Sequence, residues 1–256
     1  MPIDRREFVT LVSGAAVSSL MAPTALAMEG FSGSKIKAVV FDGFPIFDPR
    51  PVFALAEQIF PGHGVELSNL WRTRQFEYTW LRSMMGKYAD FWQLTGDALV
   101  YAAHTLKLEL TAEKQARLMQ SYLELKIWPD VAPALKTLRN SNLRLGILSN
   151  LTPKMLSSGI TNSGLNGAFE HVLSTDQVKT YKPEPRAYQM GLDAFGLPPE
   201  SVLFVAFAGW DAAGAKSFGY PTFWANRMNL PAEELGAFSD SIGHDLADLT
   251  KWLLDA

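Results

Sequence analysis

The chain has 256 residues, a formal net charge of −3 and no cysteine. Its Lys and Arg residues are scattered rather than grouped, so the sequence predicts neither a nucleic-acid-binding surface nor an anionic-membrane surface. The lack of cysteine excludes disulfides and thiolate nucleophiles, and the four histidines lack the spacing of metal ligands. We therefore expect a globular protein that acts on a small molecule.

The first 27 residues differ in pattern from the rest of the chain. Arg5 and Arg6 precede the weakly apolar run V-T-L-V-S-G-A-A-V-S-S-L-M, and Ala25-Leu26-Ala27 follows it. This pattern resembles a twin-arginine export signal. The apolar run is too short and too rich in Ser and Gly for a good transmembrane helix. We expect residues 1–27 to be a signal peptide, the mature protein to lie in the periplasm, and no stable membrane insertion after cleavage. A disordered or membrane-tethering tail is the alternative.

The first predicted strand, residues 38–41, is apolar without alternation and stops at Asp42. Such a run is typical of a strand covered on both faces in a parallel sheet. From about residue 51 to 126 the pattern is helical, without a convincing strand. Within it Phe76, Trp80 and Met84 fall on one stripe, which we interpret as helix packing.

From Trp128 onward, strands and helices alternate. Helices are predicted near residues 131–139, 153–162, 184–195 and 246–254, and strands at 143–148, 171–174, 201–207 and 221–225, with a further helix before the last strand. The order predicts an α/β doubly wound parallel sheet with an all-helical cap inserted after the first strand. The predicted core comprises residues 28–50 and 128–256, and the predicted cap residues 51–127.

Polar residues follow the ends of four predicted strands. They are Asp42, the pair Ser149 and Asn150, Lys182 in the loop after the third strand, and Asp211. Loops at the carboxyl edge of such a sheet converge on one crevice, so we expect a single site there. Lys182 would keep Asp42 ionised, and Ser149 could hold an anionic oxygen. Singly, each residue could instead cap a turn or helix or be a solvated charge.

Four stretches around these residues are the most distinctive: F-P-G-H-G-V-E-L-S-N-L-W-R-T-R-Q-F-E-Y-T-W-L-R-S-M-M, L-G-I-L-S-N-L-T-P, Y-K-P-E-P-R-A-Y and L-F-V-A-F-A-G-W-D-A-A-G-A-K-S-F-G. In these stretches the chain resembles the haloacid dehalogenase superfamily and, within it, the type II (S)-2-haloacid dehalogenases. The similarity extends from about residue 36 to the C-terminus and includes the cap, which the phosphatases of the superfamily do not share. It implies a HAD-like Rossmannoid core beneath a helical cap.

The resemblance also implies an activity: hydrolysis of short-chain (S)-2-haloacids to 2-hydroxy acids through an aspartyl ester. It implies that Asp42 is the nucleophile, that Arg72 receives the halide, and that Lys182 and Asp211 complete the catalytic set. The implied substrate-binding residues are Ser149, Asn150, Tyr188, Phe76, Phe91 and Trp210. The implied partners are the haloacid, halide and water, without a metal or other cofactor, and related enzymes commonly form homodimers.

Several positions depart from the family pattern. Phe44 stands two residues after Asp42, where superfamily phosphatases place an acidic residue, and a phenyl ring cannot protonate a leaving group. The turn G-F-P-I-F replaces the usual Tyr-Gly-Thr-Leu-Phe, and Ala206 and Ala208 replace a polar Ser-x-Asn pair. We expect a drier pocket in which alkylation survives, while ester hydrolysis is slow or uses a rearranged water.

Two other functions remain open from the sequence. One is a hydrolase of the same fold acting on another small carboxylated electrophile. The other is a small-anion binding protein that keeps Arg72, Ser149 and Lys182 but has lost turnover. Retention of Asp42 together with Lys182 favours an enzyme, because an anion receptor gains nothing from a carboxylate that faces its ligand.

Overall fold

A computed structural model of the chain describes residues 33–255. They contain a six-stranded sheet in the order β3-β2-β1-β4-β5-β6, in which all paired neighbours are parallel. The strands are β1 (Ala38–Phe41), β2 (Arg144–Ser149), β3 (His171–Ser174), β4 (Val202–Ala206), β5 (Thr222–Ala225) and β6 (Ser241–Gly243). The predicted doubly wound α/β fold is confirmed.

Helices lie in the connections between successive strands from β1 to β5, and one further helix follows β6. Those between β1 and β2 are α1 (Gly43–Ile46), α2 (Arg50–Ile59), α3 (Gly64–Met84), α4 (Phe91–Thr105), α5 (Ala112–Ser121) and α6 (Val131–Asn140). The others are α7 (Pro153–Asn162), α8 (Pro185–Phe195), α9 (Gly209–Phe218) and α10 (Leu246–Leu254). Helices α2 to α5 occupy the segment predicted as the cap, whose boundaries remain a prediction.

Strand β1 lies at the centre of the core, and all four of its residues are fully buried. Val39 and Phe41 belong to the hydrophobic cluster on one face of the sheet, whereas Ala38 and Val40 belong to the cluster on the other. Successive side chains of a strand point to opposite faces, so a strand covered on both faces must be apolar throughout. This explains the lack of alternation before Asp42.

The strand order places a topological switch point between β1 and β4. Sequential connections lead from β1 toward β2 and β3 on one side, and toward β4, β5 and β6 on the other. The backbone N–H of Asp42 donates to the carbonyl of Val205 at 2.9 Å, which fixes the end of β1 beside the end of β4. Ligands of open α/β sheets bind in the crevice at such a point.

The short elements α1 and β6 were not predicted, nor were three short 3-10 helices at Gly33–Lys35, Thr175–Val178 and Pro199–Ser201. The one-turn helix α1 follows Asp42 directly, and the three-residue edge strand β6 pairs with β5. Neither has a run long enough to show a period. The predicted export signal lies outside the described residues; within 33–255, no helix combines the length and apolarity needed to cross a membrane.

Candidate active site

Asp42 directly follows β1 and caps α1. Its Oδ2 accepts a hydrogen bond from the backbone N–H of Phe44 at 3.2 Å, so the capping explanation and a site at the strand end hold together. Between these residues lies Gly43, where an added Cβ would come within 2.8 Å of Ser149 Oγ. Glycine thus lets the turn approach the end of β2.

Lys182 joins the two carboxylates of the site. Its Nζ donates to Asp42 Oδ1 at 2.7 Å and to Asp211 Oδ2 at 2.6 Å, and its side chain is only 1% exposed. Burial by itself lowers the pKa of Lys182, but the charges of Asp211 and Asp42 outweigh burial, and its pKa lies above the ordinary value. Lys182 is therefore an ammonium in the folded protein. Ser149 Oγ lies 3.4 Å from Asp42 Oδ1, at the long end of the hydrogen-bond range.

Asp211 lies in the first turn of α9 rather than at its N-cap, which is Ala208. Its Oδ1 accepts a hydrogen bond from the hydroxyl of Tyr188 at 2.7 Å. Burial raises the pKa of Asp211 to about 6, against the opposing effects of Lys182 and of the Tyr188 hydrogen bond. Asp211 is mainly ionised at neutral pH and titrates just below it.

Activity is expected to fall as the pH decreases through about 6, because Asp211 then takes up a proton. Below that point kcat should drop about tenfold per pH unit if the ionised form is required. Tyr188→Phe removes a donor that stabilises the ionised form, so the midpoint should move up by about one unit. The pH profile of kcat measures both effects.

The matched control is Tyr220→Phe. Tyr220 is also buried, but its hydroxyl donates to the carbonyl of Tyr188 at 2.8 Å and not to Asp211. Its profile should keep the wild-type midpoint. Identical midpoints in wild type and Tyr188→Phe would contradict the assignment of the acidic limb to Asp211.

Asn150 presents an unpaired donor beside the cavity. Its Oδ1 accepts from the backbone N–H of Lys182 at 3.0 Å and from Thr175 Oγ1 at 3.2 Å, which fixes the orientation of the amide. Its buried Nδ2 has no hydrogen-bond partner among the described residues. A buried donor without a partner is costly, so this N–H is suited to an anionic ligand or to water.

A cavity of about 300 Å³ opens above these groups. Its lining includes eight of the ten predicted site residues: Asp42, Arg72, Phe76, Phe91, Ser149, Asn150, Trp210 and Asp211. The other two do not line it. Lys182 is buried between the carboxylates, and Tyr188 is fully buried behind Asp211, so Tyr188 contacts the site through Asp211 rather than facing the cavity.

Aromatic rings from the α3 stripe form much of the apolar wall. Trp210 lies edge-on to two of these rings: its centroid is 5.3 Å from that of Phe76 and 5.4 Å from that of Trp80. Both α3 residues line the cavity, whereas Met84, further along the predicted stripe, is 85% exposed. The interpretation of the stripe as packing alone was therefore incomplete. Trp80 Nε1 also donates to the carbonyl of Lys182 at 3.2 Å.

Two of the positions that depart from the family pattern, Phe44 and Ala208, line the cavity, as does Phe207 between the two alanines. Phe44 and Phe207 contact each other with centroids 5.8 Å apart. Ala206, in contrast, is fully buried in the core cluster on one face of the sheet. The side chains of these four residues offer no polar atom to water.

Sequence reasoning missed the lining residues Phe53, Glu77, Leu230 and Glu233. The last two lie in the segment after β5. Asn226 anchors that segment, because its Oδ1 accepts from the N–H of Leu230 at 2.9 Å and its Nδ2 donates to the carbonyl of Leu230 at 2.8 Å. Asn226 directly follows the apolar run of β5, which is the signal that could have found this part of the site.

The donor set does not suit Mg²⁺, which prefers oxygen ligands in near-octahedral geometry. The Lys182 ammonium occupies the space between Asp42 and Asp211, the side chain of Phe44 supplies no oxygen, and the Phe44 carbonyl accepts a hydrogen bond from Trp128 Nε1. Among residues 33–255, no group of three or more Asp, Glu, His or Cys side chains is arranged to hold a metal ion.

A model of the haloacid dehalogenase-like hydrolases matches residues 36–219. An (S)-2-haloacid dehalogenase of Pseudomonas putida is 38% identical over 222 residues, which cover 86% of this chain and 98% of that protein. The chain belongs to the (S)-2-haloacid dehalogenase family of haloacid dehalogenase-like hydrolases. Another relative, haloacetate dehalogenase H-2 of Moraxella sp. (strain B), is 42% identical over 207 residues, covering 80% of this chain and 92% of the relative.

Solved structures of the family are similar throughout the described fold. A crystal structure of an L-2-haloacid dehalogenase has a TM-score of 0.84 and 46% identity, covering 86% of this chain and 99% of that one. The L-2-haloacid dehalogenase of Xanthobacter autotrophicus with chloropropionic acid covalently bound has a TM-score of 0.79 and 34% identity, covering 86% and 98%.

Proposed function

We propose that this protein hydrolyses the carbon–halogen bond of short-chain (S)-2-haloacids, giving 2-hydroxy acids through an ester on Asp42. The observation that carries the proposal is the pairing of Asp42 with Lys182 and Asp211 at the floor of a largely apolar cavity. A carboxylate nucleophile must be ionised, oriented and shielded from bulk water. Here the ammonium, the N–H of Phe44 and the aromatic wall meet those needs.

In the first half-reaction, an oxygen of Asp42 attacks C2 of the haloacid. The new carbon–oxygen bond forms with inversion, and the electron pair of the breaking bond leaves with the halide. Arg72 borders the cavity and is the proposed halide acceptor. The Nδ2 of Asn150, together with Ser149, is proposed to hold the substrate carboxylate, because Nδ2 is the donor that lacks a protein partner.

In the second half-reaction, water adds to the carboxyl carbon of the Asp42 ester. Collapse of the adduct breaks the bond between that carbon and the ester oxygen, releases the 2-hydroxy acid and restores the carboxylate. Of the two protons of the water, one ends on the departing alkoxide oxygen, which becomes the hydroxyl of the 2-hydroxy acid, and the other is released. Asp211 borders the cavity and is ionised above about pH 6, so it is a carboxylate available to accept that proton.

Halide release from (S)-2-chloropropionate, with identification of the product, tests the proposal. The protein should release chloride and form (R)-lactate, and the (R)-enantiomer should react far more slowly. Chloroacetate belongs in the panel because one relative is named for haloacetate. Absence of chloride release from all of these acids would reject the function, while turnover of a different carboxylated electrophile would favour the hydrolase alternative.

Ester hydrolysis is expected to be the slower half-reaction. Phe44, Phe207 and Ala208 offer no side-chain polar group for a hydrolytic water, and loss of one well-placed donor typically costs about 2 to 4 kcal/mol in the transition state. Rapid mixing should therefore give a burst of chloride equal to the enzyme concentration. Intact mass during turnover should show an adduct, localised to Asp42 by peptide mapping.

Ala208→Asn supplies the missing amide at the cavity wall. It should increase the steady-state rate while leaving the burst amplitude unchanged. Chloride release that is linear from the first turnover, without an adduct, would contradict slow hydrolysis. The absence of both chloride release and an adduct would contradict alkylation as well.

Residues 1–27 are proposed to direct export of the folded protein to the periplasm, on the strength of Arg5-Arg6, the short apolar run and the A-x-A segment. Fractionation of cells that express the full chain tests this, because replacing both arginines by lysine should retain the protein in the cytoplasm.

A homodimer is proposed from the family resemblance, and the mass measured by light scattering tests it.

A further inference from the structure

The one-turn helix α1 directly follows Asp42, and its carbonyls need partners from outside the helix. The N–H of Phe47 donates to the carbonyl of Gly43 at 2.8 Å, which is the single turn that α1 completes. The following residues cannot continue it. The N–H of Asp48 donates to the backbone carbonyl of Lys126, Pro49 has no N–H, and the N–H of Arg50 donates to the Asp48 side chain. The carbonyls of residues 44–46 thus lack helical partners.

Two residues from distant parts of the chain satisfy these carbonyls. Trp128 Nε1 donates to the carbonyl of Phe44 at 2.9 Å, and its backbone N–H donates to that of Ile46 at 3.1 Å. Arg227 Nη2 donates to the carbonyl of Pro45, between them, at 2.7 Å. A cation at this end also suits the negative C-terminus of a helix.

Hydrogen bonds from both terminal nitrogens and a ring contact hold the guanidinium of Arg227, whose buried Nε has no partner among the described residues. Asp130 binds its guanidinium with two hydrogen bonds, at 2.9 and 2.8 Å, and its face stacks on the ring of Trp128, with Cζ 4.6 Å from the centroid. The Arg227 side chain is 4% exposed. Asp130 in turn accepts from the N–H of Leu246, at the start of α10. A bidentate, stacked and buried arginine has little freedom to move.

We infer that Arg227 and Trp128 are positioning residues for the nucleophile. They hold the carbonyl side of α1, and the amide side of the same turn carries the Phe44 N–H that binds Asp42. If the turn relaxed, that N–H would move and Asp42 would lose its orientation toward C2 of the substrate. The inference rests on the proposed function but names residues that do not line the cavity.

Arg227→Ala should lower kcat for (S)-2-chloropropionate about tenfold to hundredfold, since misplacing a reacting group by an ångström can cost that much. KM should change by less than about twofold, because no cavity-lining group is removed. Millimolar guanidinium should restore part of kcat by refilling the space beside Asp130 and Pro45. Trp128→Phe removes the indole N–H together with the five-membered ring, but it keeps an aromatic ring and the backbone N–H that binds Ile46. It should give a smaller loss that guanidinium does not rescue.

Arg144→Ala is the control for loss of a paired and stacked arginine away from α1; its side chain is 38% exposed, against 4% for Arg227. Arg144 also binds a carboxylate with two hydrogen bonds, to Glu170 at 2.9 and 2.5 Å. It donates to the carbonyl of Phe195 at 2.9 Å and stacks on that ring at 4.8 Å. It starts β2, opposite Ala38, at the other edge of the sheet from Asp42. Its loss should leave kcat and KM unchanged.

Hydrogen exchange provides a readout that does not need turnover. The peptide containing residues 42–47 should exchange faster in Arg227→Ala than in wild type, and at the wild-type rate in Arg144→Ala. Unchanged exchange and unchanged kcat in folded Arg227→Ala would overturn the inference, as would equal losses of kcat in the two arginine variants. If wild type releases no halide, the proposed function fails, whereas the exchange result still decides whether Arg227 orders the turn.

Discussion

Replacing Asp42 with Asn should abolish halide release. The amide is nearly the same size, so packing is kept, but its oxygen is a poor nucleophile and cannot form the ester. Removal of the nucleophile from a covalent mechanism typically costs a factor of about 10⁴ to 10⁶ in kcat. Steady-state halide release measures the rate, and intact mass should show no adduct at any time.

The control is Asp193→Asn, an exposed carboxylate on α8 that accepts a hydrogen bond from Gln189. It should retain wild-type turnover. The Asp42 variant also separates an enzyme from an anion receptor, because a receptor would keep its affinity for small carboxylates. Chloride release by Asp42→Asn at more than about one hundredth of the wild-type rate would exclude Asp42 as the nucleophile.

Replacing Lys182 with Met should damage both activity and stability. The variant leaves Asp42 and Asp211 buried together without their shared cation, and breaking a buried ion pair typically costs about 3 to 5 kcal/mol. We expect a clearly lower free energy of unfolding by denaturant titration. In the folded variant, kcat should fall about a thousandfold, because the charge-stabilising donor beside the nucleophile is gone.

The stability loss should depend on pH in a defined direction. Without Lys182, the pKa of Asp211, already raised by burial, rises further. A carboxyl group whose folded pKa is raised destabilises the protein when ionised, so the deficit should shrink as the pH decreases through that pKa.

Lys179→Met is the matched control, because Lys179 binds Asp176 at 2.8 Å but is 62% exposed, and such surface pairs contribute at most about 1 kcal/mol. A deficit in Lys182→Met that is equally large at every pH would contradict the electrostatic explanation.

Much of the fold follows from the period of apolar residues. The buried strand before Asp42 was predicted from a continuous apolar run, and the helix that begins at Pro153 from a run long enough to show a helical period. The end of a strand in a parallel sheet also places its next residue at a known edge. For that reason Asp42, Ser149 and Asp211 could be grouped without knowledge of any distance.

Other parts of the site could not be found in this way. A periodic stripe shows which face of a helix is covered, but not whether packed side chains or a cavity covers it. Trp80 was therefore interpreted only as packing, and Phe76 was assigned to the substrate site only through the family resemblance. Tyr188 and Arg227 act through residues far away in the chain, and no local pattern reports such contacts. The segment from Asn226 to Glu233 lacks a period, because its order comes from side-chain hydrogen bonds to its own backbone.

The ammonium shared by two carboxylates has a consequence for the charge of the site during the proposed cycle. Before reaction, Asp42, Lys182 and Asp211 sum to one negative charge, held within hydrogen-bonding distance. Esterification removes the charge of Asp42, so the trio becomes neutral while its hydrogen-bond donor stays in place. The Lys182 N–H that served as a counterion then lies against an ester oxygen, where negative charge develops when water adds. One buried lysine thus changes from stabilising the nucleophile to polarising the electrophile, without moving.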